Sequence, residues 1–430
     1  MKNINWTILL AGFMLLLSLN SCEEEKIESP EKQAVKSLYN LMQSWYLWYD
    51  EVPQIELSNY NTPEEVLEAV RYKKDQWSYI TTVEKLNNYY NKAAFTGYGF
   101  GYGTDTAGNV RITFTFEESP LRDYGVKRSW ILESIDGEKI GSGSDVSNLL
   151  GSTDAGQTNE FTIISPSKQD TIKQTFTSQE MTRNTVLHSS TINTSAGKTG
   201  YMVLHNFLGT TSGEILNVFQ TFSNENIENI VIDLRYNTGG LLTGASEMAN
   251  YLISDDHIGD VFMKLLYNDQ KEAENTFYKF KQDSLSLNWS FSEIYFITTG
   301  VTASASEALI NGLKPYTTVH TIGQQTYGKP VGMRGFTDQE EYYAFMPVCF
   351  RVANNKDETN YFDGLPVDVQ EHDDVTHMFG DTREACLEQA INHIENGSFL
   401  KRKTIHDIRQ PKVGPYYRKE MIIFSSKQSK

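Results

Sequence analysis

The first part of the chain places its apolar residues on one face of a helix. Ser29-Pro30-Glu31 is a typical helix start, with proline in the first turn. The apolar stripe that follows consists of Val35, Leu38, Tyr39, Met42, Trp45, Tyr46 and Tyr49. A second helix is indicated at residues 62–65, where threonine and glutamate form a capping-box pattern. These patterns predict an all-helical N-terminal domain over residues 33–94.

From residue 95 the apolar period changes to two, the period of a strand. Apolar residues alternate with polar ones over 110–116, and residues 130–140 read as strand, turn and strand. A short helix is indicated at 145–150, and residues 161–176 read as a closing hairpin. The pattern predicts a β-rich domain over residues 95–180.

Residues 181–400 alternate strand-like and helix-like segments. Apolar β-type runs occupy 200–207, 229–234 and 294–298, and helical patterns occupy 213–222 and 241–252. Such alternation predicts an α/β core with a mixed sheet. Residues 401–430 form a polar, basic tail with no assignable pattern.

Candidate chemistry lies at three points of this core. Ser304 falls between a strand and a helix, and Ser304-x-x-Glu307 is a capping box, so the common role of this serine would be a helix cap. Lys329 follows Gly328 about one helix and one strand later, and a lysine in such a turn is ordinarily a solvated surface residue. Residues 233–240, DLRYNTGG, end another strand in a glycine turn.

Taken together and in this order, the three segments resemble the C-terminal processing (tail-specific) proteases, serine peptidases with a Ser-Lys dyad. The resemblance covers roughly residues 35–395. It implies that Ser304 is the nucleophile and Lys329 the general base, with no cofactor and no metal. The family often has a glutamine four residues after the lysine, where this chain has Met333.

A Ser-Lys mechanism requires a lysine of lowered pKa and backbone donors for the oxyanion, and the residues around Ser304 and Lys329 can supply both. A lysine acts as a base only when its pKa falls below the ordinary value, and burial lowers it. Apolar neighbours surround Lys329, and no acid is close in sequence. The oxyanion would bind the backbone N–H of Ala305, at a helix start, and a glycine N–H, with Gly239 preferred to Gly240.

The β-rich domain resembles the PDZ module that this family carries before its protease core. PDZ domains bind the carboxyl end of a peptide as an added strand, and a glycine-rich loop holds the carboxylate. The candidate loop consists of Gly99, Phe100, Gly101 and Tyr102. Alternatively, these glycines serve only a tight bend. The expected partner is a polypeptide.

The N-terminal residues predict that the protein is exported from the cytoplasm. Residues 1–21 contain one early lysine and an apolar run too short for a membrane span, which is typical of a signal peptide. The small residue before Cys22 resembles a bacterial lipobox, which implies acylation of Cys22, a tether over residues 22–32 and anchoring to a membrane of the cell envelope. Ordinary secretion with a non-lipidated cysteine is the alternative.

The net charge and the remaining cysteines and histidines limit the classes of partner and of metal or disulfide site that the sequence supports. A net charge of −17 disfavours nucleic-acid partners, which require a basic face. Cys349 and Cys386 either pair or lie separately in the core. The histidines and aspartates of 372–377 lack metal-ligand spacing and are predicted to form a solvated loop.

The sequence therefore predicts a lipid-anchored serine endopeptidase of the cell envelope that engages C-terminal or unstructured segments of polypeptides. The alternative is a non-catalytic peptide-binding lipoprotein that retains the protease fold, and Met333 is the feature that favours it. The sequence does not predict an oligomeric state.

Overall fold

The structure is a computed structural model that describes residues 29–151, 154–287, 289 and 291–401. The predicted signal peptide, the lipidation site Cys22 and the polar tail beyond Lys401 lie outside the described residues. Within the described part of the chain, no helix combines the length and the apolar character needed to cross a bilayer.

The N-terminal segment contains three helices and one strand. Their bounds are α1 (Pro30–Ser44), α2 (Pro63–Val70), β1 (Tyr79–Thr82) and α3 (Val83–Tyr90). The prediction of an all-helical segment is wrong at β1, which pairs antiparallel with residues 343–346. A strand of four residues is too short to show a period of its own. The apolar stripe of α1 packs against Val331, Phe345 and Val348, so this segment shares a core with distant parts of the chain.

A β-rich domain follows and is built almost entirely of antiparallel pairs. Its elements are β2 (Ala94–Gly97), β3 (Phe100–Thr104), β4 (Val110–Thr115), β5 (Ile131–Ile135), β6 (Glu138–Lys139), α4 (Val146–Leu150), β7 (Thr158–Ile164), β8 (Thr171–Thr177) and β9 (Gln179–Thr182). The main sheet has the order β3-β4-β5-β7-β8, and β6 pairs with β5. The entering strand β2 pairs with the leaving strand β9, so both connections of the domain run through one ribbon.

The remaining described elements form the core. They are β10 (Val186–Thr194), β11 (Gly197–Leu204), α5 (Thr211–Glu225), β12 (Asn229–Asp233), α6 (Leu242–Leu252), β13 (Val261–Tyr267), β14 (Thr276–Lys279), β15 (Glu293–Thr298), α7 (Ala305–Leu313), β16 (Thr318–Gly323), β17 (Val331–Met333), β18 (Phe336–Thr337), β19 (Tyr343–Met346), β20 (Val348–Ala353), β21 (Val369–Gln370) and α8 (Ala385–Asn396).

The central sheet of the core is mixed, as the alternating pattern predicted. Its order is β10-β11-β12-β15-β16-β21, in which β10 is antiparallel to β11 and the other neighbours are parallel. A four-stranded sheet, β14-β13-β20-β17, and a three-stranded sheet, β1-β19-β18, complete it.

Both faces of the central sheet are covered. Successive side chains of a strand point to opposite faces, so Met202 of β11 joins the core formed with α5, α6 and α7, whereas Tyr201 joins the core formed with α8. Cys349 belongs to the first of these cores and Cys386 to the second. Both cysteines are buried and free, which decides between the two alternatives left open by the sequence.

A buried ion-pair cluster joins the β-rich domain to the core. Arg128 and Arg235 each approach Asp373 Oδ1 at 2.8 Å, and Arg235 also lies 2.7 Å from Glu384. Burial alone would raise the pKa of Asp373, but the two guanidinium groups hold it well below its usual range. The prediction of a solvated loop over residues 372–377 is therefore wrong at Asp373, whose partners come from far away in sequence.

Candidate active site

Ser304 occupies a strained turn between β15 and α7. It is the N-cap of α7, with φ 56° and ψ −114°, in the region of positive φ that residues other than glycine rarely adopt. Such a conformation costs on the order of 1–3 kcal/mol and persists only where its surroundings impose it. Ala303 and Ala305 are buried on either side, whereas Ser304 itself is partly exposed. The turn therefore presents the serine at the carboxyl end of β15.

Glu307 holds this turn and the lysine turn together. The carboxylate is fully buried, and its Oε2 accepts hydrogen bonds from the backbone N–H of Ser304 (2.8 Å) and of Lys329 (2.8 Å). Its Oε1 accepts from the N–H of Gly328 (2.7 Å) and from the hydroxyl of Thr326 (2.5 Å). One carboxylate thus fixes the backbones of both predicted catalytic residues.

The charge state of Glu307 follows from competing effects. Burial raises the pKa of Glu307, and its four hydrogen-bond donors oppose that rise because they stabilise the ionised form. An ionised carboxylate can accept all four bonds, whereas a protonated one would have to turn its own hydroxyl toward a donor. The capping-box pattern predicted the contact with Ser304. It did not predict the contacts with Gly328 and Lys329, which cross more than twenty residues of sequence.

Lys329 has the lowered basicity that a proton-accepting amine requires. Burial lowers the pKa of Lys329 to about 8, while the carboxylates of Asp75 and Glu307 act in the opposite direction. No acid is close to Lys329 in sequence, as predicted, but the fold brings the carboxylates of Asp75 and Glu307 near enough to affect its pKa. The Nζ atom lies 3.9 Å from Sδ of Met333, a weak acceptor, and makes no hydrogen bond to the Ser304 hydroxyl. Catalytic hydrogen bonds are often long in enzymes without substrate.

Asp75 is a site residue that the sequence pattern did not reveal. It is 5% exposed, and its Oδ1 accepts from the N–H groups of Trp77 (2.8 Å) and Ser78 (3.0 Å). The Tyr46 hydroxyl donates to its Oδ2 at 2.7 Å. Tyr46 was predicted only as part of an apolar helix stripe. No local pattern can signal this arrangement, because it depends on how the N-terminal segment docks onto the core.

The backbone donors proposed for an oxyanion differ in availability. The N–H of Ala305 opens α7, where the helix dipole favours negative charge. The N–H of Gly239, however, donates to Oδ1 of Asn237 at 2.8 Å, so it is engaged within its own turn rather than free as predicted. The N–H of Gly240 makes no hydrogen bond within the described ranges, which leaves it as the second candidate.

Glycine is required at both of these turn positions. A Cβ on Gly239 would lie 2.7 Å from Cβ of Ser304, and one on Gly240 would lie 2.0 Å from the carbonyl oxygen of Phe207. Both glycines also have positive φ. The glycine turn therefore packs directly against the serine turn.

The predicted carboxylate loop of the β-rich domain is largely a strand. Gly99 lies between β2 and β3 with φ 70°, whereas Phe100 and Tyr102 belong to β3, which pairs with β4. Their side chains pack into the core of the domain, and Gly101 fits against the ring of Phe114. In the part of the chain that is described, β3 pairs with a strand on one side only. The Tyr102 hydroxyl lies 3.2 Å from Oγ of Ser147 on α4, which places that helix beside the free edge. A role in peptide binding stays a prediction.

Comparison with known proteins identifies the core and the N-terminal segment. A family model described as "Peptidase family S41" matches residues 198–346, which include Ser304, Lys329 and the glycine turn. A model described as "Peptidase S41 N-terminal domain" matches residues 34–79, which include Asp75.

Individual relatives agree with this assignment. The chain is 26% identical over 267 residues to a "Probable CtpA-like serine protease" of Staphylococcus aureus (strain N315), an alignment that covers 61% of this chain and 50% of the relative. The chain thus spans about half the length of the curated relatives it matches. A solved structure described as a "Putative S41 protease" of Bacteroides fragilis NCTC 9343 has the same fold, with a TM-score of 0.68, 23% identity and coverage of 83% of this chain and 96% of that one. The photosystem II D1 C-terminal processing protease gives a TM-score of 0.50, with 19% identity and coverage of 80% and 94%.

The role of Glu307 can be tested by Glu307→Gln. The substitution puts an NH₂ group where two donors converge, so we expect kcat on an unstructured peptide to fall by roughly a hundredfold or more, with a loss of stability of about 1–3 kcal/mol from the unpaired donors. Kinetics and thermal unfolding measure the two effects.

Glu65→Gln is the matched control. Glu65 occupies the same third helical position in α2, is exposed, and accepts a hydrogen bond from the N–H of Asn61 at 2.7 Å. Its replacement should leave kcat unchanged and cost only a few tenths of a kcal/mol. Equal kcat values for the two variants would contradict a positioning role for Glu307.

Proposed function

We propose that this chain is a serine endopeptidase of the C-terminal processing type that acts through Ser304 and Lys329, because its core and its N-terminal segment match the models of peptidase family S41. The observation that carries the proposal is the shared Oε2 of Glu307, which holds the backbones of a turn-borne serine and a partly buried lysine side by side. A helix-cap role for Ser304 would not require Lys329 at the same carboxylate.

The chemistry follows from the protonation of Lys329. With a pKa of about 8, roughly a tenth of the lysine is neutral at pH 7, against well under a thousandth of a free lysine. The neutral amine accepts the proton of the Ser304 hydroxyl while the hydroxyl oxygen forms a bond to the scissile carbonyl carbon. The N–H groups of Ala305 and Gly240 stabilise the oxyanion. The ammonium then returns the proton to the leaving amine, and water hydrolyses the acyl-serine.

The β-rich domain serves substrate recognition in this proposal. Strand β3 has one edge without a strand partner in the described part of the domain, and α4 lies beside it through the Tyr102–Ser147 contact. An extended peptide can add to such an edge, with its carboxylate near Gly99. The substrate class is therefore a polypeptide with an unstructured or C-terminal segment.

Localisation rests on the sequence motif at Cys22. Acylation of this cysteine would leave the enzyme attached to a membrane of the cell envelope, with the catalytic core outside the cytoplasm. The acidic run that follows it supplies a polar tether.

Ser304→Ala tests the nucleophile directly. Hydrolysis of a peptide substrate should fall by roughly a thousandfold or more, and labelling by a fluorophosphonate probe should disappear. Thr62→Ala is the control, because Thr62 caps α2 and accepts from the N–H of Glu65 at 3.3 Å, so its loss costs about 1 kcal/mol of stability without touching the site. Unchanged turnover in the Ser304 variant would favour the alternative, a peptide-binding lipoprotein without catalysis.

Lys329→Arg distinguishes two roles of Lys329, a general base and a positive charge that attracts the substrate. A guanidinium cannot lose its proton at usable pH, so the Arg variant should be about as inactive as Lys329→Ala. In the parent enzyme kcat/KM should rise with pH around a pKa of about 8, because the neutral amine is the active form. Appreciable activity in the Arg variant would rule out the dyad.

Asp75→Asn removes a carboxylate that raises the pKa of Lys329. The variant should therefore move the rising part of the pH profile to lower pH.

Cys22→Ala tests the anchor in the producing cell. The variant should move from the membrane fraction to the soluble envelope fraction, and mass spectrometry of the parent protein should find acyl groups on its N-terminal peptide. The Ser304→Ala protein is the control, since it keeps the lipobox and should stay with membranes. A Cys22 variant that fractionates with the parent would refute lipid anchoring.

A further inference from the structure

A second cluster of titratable side chains lies away from the catalytic serine. Glu293 begins β15, His320 lies on β16 and His393 lies in the last turn of α8. One ligand atom from each lies within 4.8 Å of the other two. Ser304 follows the opposite end of β15, so the cluster and the candidate active site occupy opposite ends of the central sheet. Nothing in the proposed reaction uses these three side chains.

The separations within the cluster suit a tetrahedral metal ion. Glu293 Oε2 lies 3.5 Å from His320 Nε2 and 3.7 Å from His393 Nδ1. Ligand bonds of about 2.0–2.1 Å in a tetrahedral zinc site put the ligand atoms about 3.3 Å apart. Each of the two carboxylate–imidazole distances would therefore contract by a few tenths of an ångström, and the two imidazole nitrogens, which lie within 4.8 Å of each other, would also move together. Two imidazoles and one carboxylate form a ligand set that zinc commonly takes.

Hydrogen bonding within the cluster leaves one group unsatisfied. Among the described residues, the buried His320 Nε2 makes no hydrogen bond of ordinary length, because Glu293 Oε2 lies 3.5 Å away. Buried polar atoms without partners are costly, and a bound ion would satisfy this one. The Tyr295 hydroxyl donates to Glu293 Oε2 at 2.5 Å and lies 2.9 Å from His393 Nδ1. A metal on Nδ1 would replace the proton and the hydroxyl contact of that nitrogen, while the hydroxyl would keep its bond to Glu293 and orient the carboxylate.

One side of the cluster is covered by an aromatic ring, and the other side is open to solvent. The imidazole centroids of His320 and His393 lie 4.3 Å apart, and the ring of Phe399 packs against both, at 5.8 and 4.4 Å. The Glu293 side chain is 39% exposed, which leaves a path from solvent and room for water as a fourth ligand.

We propose that Glu293, His320 and His393 bind one zinc ion, which ties α8 to β15 and β16. The ion would cross-link the last described helix to two central strands, so its effect is on stability rather than on peptide hydrolysis. This proposal does not rest on the proposed function, because the site lies at the other end of the sheet from Ser304.

Zinc binding is tested on the full mature protein after removal of any histidine tag. The chelator-treated protein should take up one zinc per chain in equilibrium dialysis. At free zinc a hundredfold above Kd, Tm should rise by roughly 3 °C if the chain of about 400 residues unfolds as one unit. Cobalt in place of zinc should give the visible absorption of a tetrahedral site. Uptake well below one zinc per chain, with no change in Tm, would overturn the proposal.

Two variants and one matched control locate the site. His320→Gln and His393→Gln should each lose zinc uptake and the zinc-dependent rise in Tm. His257→Gln should keep both, because His257 also has a carboxylate neighbour, Asp260 at 3.2 Å, but belongs to no such cluster among the residues that the structure describes. Since uptake is measured separately from Tm, loss of stability alone cannot imitate loss of the site. Parent-like uptake by His320→Gln would refute the assignment.

The catalytic serine provides the final comparison. Fluorophosphonate labelling of Ser304 should proceed at the same rate with and without zinc, because the ion would stabilise the far end of the sheet. A labelling rate that depended on zinc in the parent but not in His393→Gln would contradict a purely structural role.

Discussion

A single buried carboxylate, that of Glu307, organises the catalytic end of the central sheet. Its two oxygens accept from three backbone N–H groups and one hydroxyl, supplied by the turn before α7 and by the turn after β16. A buried carboxylate is tolerated only when its lone pairs accept hydrogen bonds. The charge of Glu307 therefore depends on the donors of the two turns, and the positions of the two turns depend on the carboxylate. The positive φ of Ser304 is part of the same arrangement, since the strained turn is held by bonds on both of its sides.

Electrostatics links the catalytic end to the rest of the molecule. Burial makes Lys329 a weaker base, and Asp75 from the N-terminal segment limits how far its pKa falls. At the domain junction, Arg128 and Arg235 share Asp373, so the position of the β-rich domain depends on a cluster that is excluded from water. Removing one partner from such a cluster typically costs about 3–5 kcal/mol, because the charges left behind stay buried.

Periodicity accounts for what the sequence could predict. The core helices and strands, such as α5 and β12, follow from clear apolar periods, and Ser304 and Lys329 follow from motifs on the turns between them. The failures share one cause, which is contact between distant segments. Strand β1 is too short to show a period, Asp75 approaches Lys329 only after docking, and Asp373 is buried only because two arginines meet it. Likewise, the side chain of Asn237 occupies the N–H of Gly239, which no spacing rule specifies.

The pairing of β1 with β19 has a consequence for the order in which the chain folds. The apolar stripe of α1 is synthesised long before its partners Val331, Phe345 and Val348, which lie about three hundred residues further along the chain. The β-rich domain, whose contacts are local, can form much earlier. Until β19 exists, the N-terminal segment exposes an apolar face that is prone to aggregation. Asp75 approaches Lys329 only when this segment docks, so the lysine gains its full surroundings only after β19 has been made. A chain that ends before β19 therefore lacks the finished site, and we expect the proposed activity to require a docked N-terminal segment.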